Sequence, residues 1–99
     1  MAKFLVQVVL HDAQTPHIQA GLIVAMAKHG FARELPGKKA SYHLPSGNYW
    51  YQGDGTVNDV RTAAAAVLEP TVQDFGIIVV RADGWSVMRL KRAKAAPQG

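Results

Sequence analysis

Phe4-Leu5-Val6-Gln7-Val8-Val9-Leu10 runs straight into His11-Asp12, and Thr15-Pro16 follows. The first seven residues are rich in β-branched side chains, which suit a pleated strand. Strand periodicity puts Phe4, Val6, Val8 and Leu10 on one face and Leu5, Gln7, Val9 and His11 on the other. The first set is wholly apolar and is expected to face the core. Thr15 can cap free amide groups, and Pro16 fits the first position of a helix. A strand leading into a capped helix is the opening of an α+β domain, with a histidine and a carboxylate at the junction.

The same reading extends along the chain. Ile18, Leu22, Ala25 and Met26 recur at helical spacing, and Gly30 ends that helix behind Lys28 and His29. Phe31 to Leu35 is a second strand, Pro36-Gly37-Lys38-Lys39 a turn, and Ala40 to Leu44 a third strand, forming a hairpin. Pro45 to Gly55 is a loop whose aromatic middle, Asn48-Tyr49-Trp50-Tyr51, prolongs the third strand beyond a bulge or folds back over the core. Thr56-Val57-Asn58-Asp59 matches a capping box. Val57, Val60, Ala64, Val67 and Leu68 form the stripe of a second helix, which Pro70 stops. Asp74 to Arg81 is a fourth strand, and its continuous apolar run predicts a central position. Trp85 to Leu90 reads as a short fifth strand at an edge.

The order β-α-β-β-α-β is the ferredoxin-like plan. Right-handed crossovers place both helices on one face of a four-stranded antiparallel sheet. Residues 1–90 form the single domain, and 91–99 a basic, disordered tail.

Composition narrows the function classes. Ninety-nine residues, 48% of them hydrophobic, make one globular domain with a thin core. The absence of cysteine excludes disulfides, thiolate nucleophiles and cysteine metal sites. The N-terminal apolar run is too short for a signal peptide, and no stretch reaches the ~20 apolar residues of a membrane span. A soluble, cytoplasmic protein is expected. The pI of about 9.7 suggests a polyanion partner. Yet residues 1–90 hold eight Lys/Arg against seven Asp/Glu, so Lys91, Arg92 and Lys94 carry most of the excess. Such a tail can bind nucleic acid weakly or be a solvated terminus.

With both helices on one face, the other is open and carries Leu5, Val9, Ile78 and Val80 at its centre. An aliphatic patch of this kind marks an interface, and a second copy, sheet to sheet or edge to edge, is the simplest partner. The same strands lack the aromatics and the sequence pattern with which RNA-recognition motifs stack bases.

Asp12 can hold a divalent metal such as Mg²⁺ or orient His11 as a general base. In a two-fold dimer, two copies of Asp12 can share one ion. Its place before a helix N-terminus accounts for Asp12 equally well. His43 and Arg33 lie on the hairpin, where either can approach the end of the first strand or face solvent. Tyr49, Trp50 and Tyr51 can stack on nucleobases or cover the core, with at least one of them buried. Gly53-Asp54-Gly55 can cradle a phosphate, although a turn before a capped helix explains it too.

The series Leu10-His11-Asp12-Ala13, Gly30-Phe31, Tyr42-His43-Leu44-Pro45, Tyr49, Gly53 and Thr56 resembles a small proteobacterial family similar to the GhoS endoribonuclease antitoxin. The resemblance implies a ferredoxin-like dimer, akin to the CRISPR-associated small endonucleases, with an aspartate at the end of the first strand. Asp12 stands at that place. The implied activity is RNA cleavage in a toxin–antitoxin or RNA-control system. Asp12, His11 and His43 are then the candidate catalytic residues, Asp12 the candidate metal ligand, and Arg33, Tyr49, Trp50 and Tyr51 the candidate substrate contacts. The alternative is a non-catalytic dimeric module that binds a protein or a small ligand.

Overall fold

The computed structural model describes residues 1–12, 15–37 and 40–95. Lys38, Lys39 and residues 96–99, expected in a turn and in the tail, lie outside them. The elements are β1 (Ala2–Leu10), α1 (Pro16–Lys28), β2 (Glu34–Pro36), β3 (Ala40–His43), β4 (Asn48–Gly53), α2 (Val57–Leu68), β5 (Phe75–Arg81) and β6 (Arg92–Ala95). They form an α+β domain with two three-stranded antiparallel sheets, ordered β4-β1-β5 and β2-β3-β6.

The main sheet follows the periodicity of β1. Phe4, Val6 and Val8 are buried under the helices, and β1 pairs Val6 with Tyr49 on β4 and with Val79 on β5. Both helices start as their caps dictate. The Thr15 hydroxyl accepts from the Ile18 amide at 3.2 Å. Thr56 and Asp59 exchange two hydrogen bonds, of 2.9 and 3.1 Å, in a complete capping box. Leu22 and Met26 of α1, and Val60, Ala64 and Leu68 of α2, close the core against Phe4, Phe31 and Tyr49. Val57, expected in the α2 stripe, is exposed at the first turn.

The expected four-stranded sheet is not formed. The segment after α1 meets β4 only through an isolated bridge, in which Ala32 and Trp50 exchange bonds of 2.7 and 2.9 Å. At Arg33 the chain leaves the main sheet and enters β2. Phe31 and Leu35 share strand parity, yet Phe31 packs under the helices and Leu35 in a second cluster with Leu44 and Trp50. That cluster includes Leu5 and Ala82, so the small sheet stands on part of the face expected to be open.

Three further expectations change. The run of residues 85–90 is no strand. Arg89 has φ +59°, a left-handed conformation that interrupts an extended strand. The pairing goes to Arg92–Ala95 instead, within the stretch read as tail, which lies against β3 as β6. And β5 is an edge, not a central strand: Phe75, Ile77 and Val79 pack on the core, while Ile78 and Val80 face outward.

Candidate functional site

β1 extends its ladder one step past Leu10, where the His11 amide donates to the Asp74 carbonyl at 3.0 Å. His11 continues the outward face of Leu5, Gln7 and Val9, and its imidazole lies over Gly76. A Cβ on Gly76 would stand 3.4 Å from His11 Nε2. That is close to ordinary contact distance, so the ring lies against the end of β5. His11 and Asp12 are both exposed, ahead of the Thr15 cap of α1. His43 belongs to the other sheet, where it pairs in register with Glu34, and its side chain is exposed. Its amide donates to the Lys91 carbonyl at 2.8 Å. Among the described residues there is no group of three or more His, Cys, Asp or Glu side chains arranged to hold a metal ion.

Arg33 closes the loop between β3 and β4. Its guanidinium donates to the carbonyls of Leu44 (2.8 Å), Pro45 (2.9 Å) and Asn48. It also lies 5.5 Å from the Tyr49 ring centroid. Burial pushes the Tyr49 phenol above its ordinary pKa, and the nearby Arg33 charge pulls the other way. These contacts make Arg33 a clamp on its own backbone.

The three loop aromatics form the middle of β4 and divide between its faces. Tyr49 is buried in the core under the helices, and Tyr51 stacks on Phe31 at 4.7 Å between centroids. Trp50 points the other way and is 4% exposed. Neither Tyr49 nor Trp50 offers a ring face on the surface for base stacking. Trp85 packs on Trp50 at 4.8 Å, and Lys3 Nζ lies 5.3 Å from the Trp85 centroid.

Leu5, Leu35, Leu44, Trp50, Trp85 and Met88 bound an apolar groove of about 350 Å³ between the small sheet and residues 85–90. Trp50 Nε1 is buried and has no hydrogen-bond partner among the described residues. Sequence reasoning missed this groove. Its only sequence signal is parity: Leu5 and Trp50 are register partners on one face, which the loop reading of 45–55 hid. Beside the groove, the exposed remainder of that face carries Gln7 and His11 among aliphatic residues. Val9 (46% exposed), Ile78 (57%) and Val80 (51%) adjoin the edge of β5 that pairs with no strand among the described residues.

The chain matches no protein-family model, and no curated protein or solved structure gives a match either. Among the described residues, no helix is long and apolar enough to cross a membrane.

Proposed function

We propose that the chain is a homodimeric binding module of ferredoxin-like plan, joined through the edge of β5. The plan is supported by strand order. Counting the Ala32 bridge as a fourth position, the main sheet runs from the β5 edge as last, first, third and second strand. The dimer rests on one observation: Val9, Ile78 and Val80 are exposed together beside an edge with no charged residue from Phe75 to Val80. An exposed apolar edge of this kind is a template for strand pairing. Antiparallel pairing about a two-fold axis at Ile78 sets Ile78 against its own copy and Val80 against Gly76. It sets Arg81 of one copy against Phe75 of the second, and Ala82 against Asp74. Flat stacking of two sheets is hindered by the small sheet, which already occupies the Leu5–Trp50 half of this face.

Light scattering across a concentration series tests the dimer. A mass twice that of the 10.7 kDa chain is expected, with Ile78→Asp monomeric and unchanged in circular dichroism. A wild-type protein that stays monomeric at millimolar concentration refutes the reading.

The second reading is an endoribonuclease centred on Asp12. The observation that favours it is the exposed His11-Asp12 pair, with the imidazole fitted over Gly76 beside the proposed interface. Exposed Arg89, Lys91 and Arg92 supply charge for an RNA partner, and a chain without cysteine suits the cytoplasm. Edge pairing separates the two Asp12 residues by roughly 35 Å, from strand rise and spacing. Each copy would then act alone, and a Mg²⁺ ion shared between them belongs to a face-to-face dimer instead. Cleavage of mixed RNA, with and without Mg²⁺, by the wild type and by Asp12→Ala decides this reading. No wild-type cleavage, or equal cleavage by the variant, removes it.

A further inference from the structure

The groove beneath residues 85–90 combines three properties. Its lining carries no charged side chain. At about 350 Å³ it lies at the small end of ligand pockets, which span ~300–1,000 Å³. And it holds one buried donor without an acceptor, Trp50 Nε1. The indole is packed among Leu5, Leu35, Leu44 and Trp85, and each of these also lines the groove. A molecule bound in the groove would therefore lie against the indole, beside the lining's two polar side chains, Asn48 and Ser86. Buried polar groups are almost always paired, so an orphan donor in an apolar pocket points to a missing acceptor.

We infer that this groove binds a small, neutral, mostly apolar molecule through one hydrogen-bond acceptor, a carbonyl oxygen placed on Trp50 Nε1. The absence of charge in the lining disfavours anions and cations, which would lose hydration without gaining a partner. Residues 85–90 form one wall, outside the sheets. They belong to no strand, and Met88 is 80% exposed at the groove's lip. A non-glycine residue at positive φ, Arg89, ends this wall. The site deepens the binding-module reading, but its test does not depend on the dimer, because light scattering and groove occupancy are read separately.

The chain has two tryptophans, and both line the groove, so the two indole N–H signals in a ¹H–¹⁵N spectrum report on it directly. The probes are acetophenone and its near-isostere α-methylstyrene, which has the same shape without the carbonyl oxygen. Both are expected to shift the indole signals, with acetophenone bound roughly tenfold more tightly, the worth of one recovered hydrogen bond. In Trp50→Phe that preference is expected to vanish while the Trp85 signal still responds. Met88→Glu, at an exposed position that leaves the fold intact, is expected to weaken both probes about equally. Benzoate is expected not to bind. Unmoved indole signals in the wild type at millimolar probe overturn the proposal. So does equal affinity for the two probes, or a Trp50 N–H that exchanges magnetisation with a bound water, which would itself be the acceptor.

Discussion

Replacing Arg33 with methionine removes the guanidinium and keeps most of the stem. Three carbonyls then lose a charged donor, those of Leu44, Pro45 and Asn48. They are not equally dependent on it. The Pro45 carbonyl also accepts from the Asn48 amide at 3.0 Å and lies in an exposed setting, so its loss costs little. The Leu44 and Asn48 bonds are partly buried. Hydrogen bonds from charged donors are worth about 1.5–3 kcal/mol each, and partial access to water favours the lower figure. Contact with the Tyr49 face adds about 0.5 kcal/mol. The expected loss is about 3.5 kcal/mol, a large share of the ~5–15 kcal/mol that stabilises a domain. For a chain of this length that is a fall in Tm of roughly 14–28 °C. Thermal and urea unfolding followed by far-UV circular dichroism measures it. Arg33→Lys keeps the charge but not the fork, and is expected to recover less than half. A loss under about 1 kcal/mol for Arg33→Met refutes the clamp, because the bonds cost far more than that to leave unmade. Weakened RNA binding with unchanged stability would instead restore Arg33 to the substrate-contact role read from the sequence.

Other perturbations test other parts of the structure. Gly47 has φ +82°, and a Cβ there would stand 2.6 Å from the Val8 carbonyl oxygen, so Gly47→Ala is expected to cost at least ~2 kcal/mol in urea unfolding. Thr56→Ala removes half of the capping box and is expected to cost about 1 kcal/mol by the same assay. Phe31→Ala empties a fully buried site and is expected to cost about 3–5 kcal/mol. Because burial raises the folded pKa of Tyr49, the folded state holds its proton longer than the unfolded chain does. The stability this contributes is complete below about pH 10 and is lost as pH rises through the raised value. Tyr49→Phe is accordingly expected to flatten the alkaline limb of a stability–pH curve.

Local chemistry was legible in the sequence wherever partners lie close along the chain. The alternation of Phe4, Val6 and Val8, the Thr15 cap and the Thr56–Asp59 box are all short-range patterns, and the structure contains each of them. The second sheet was not legible. Arg33 bends the chain by binding carbonyls 11 to 15 residues away, and a carbonyl leaves no mark on residue identity. The apolar run of β5 was ambiguous for a different reason. A central strand and an edge strand packed on a core can have the same apolar composition. His11 and Asp12 emerge where expected, at the end of β1, whereas His43 sits in a sheet that the hairpin reading merged with the first. The groove depends on Trp50 facing away from Tyr49 and Tyr51, and strand parity predicts that once the loop is recognised as a strand.

That division of three consecutive aromatics also bears on how the molecule comes apart. β4 holds Tyr49 and Tyr51 in the larger core and Trp50 in the smaller one, so a single strand rivets two packing units of unequal strength. The smaller unit has three buried anchors, Leu35, Leu44 and Trp50, and is tied to the main sheet by the Ala32 bridge, the Arg33 bond to Asn48 and packing on Leu5. It should open sub-globally while β1 and the helices hold, with amides of β2 and β3 exchanging long before those of β1. Tryptophan emission would then follow the lifting of one sheet and circular dichroism the loss of the whole domain. The gap between the two curves would measure how firmly β4 couples the cores.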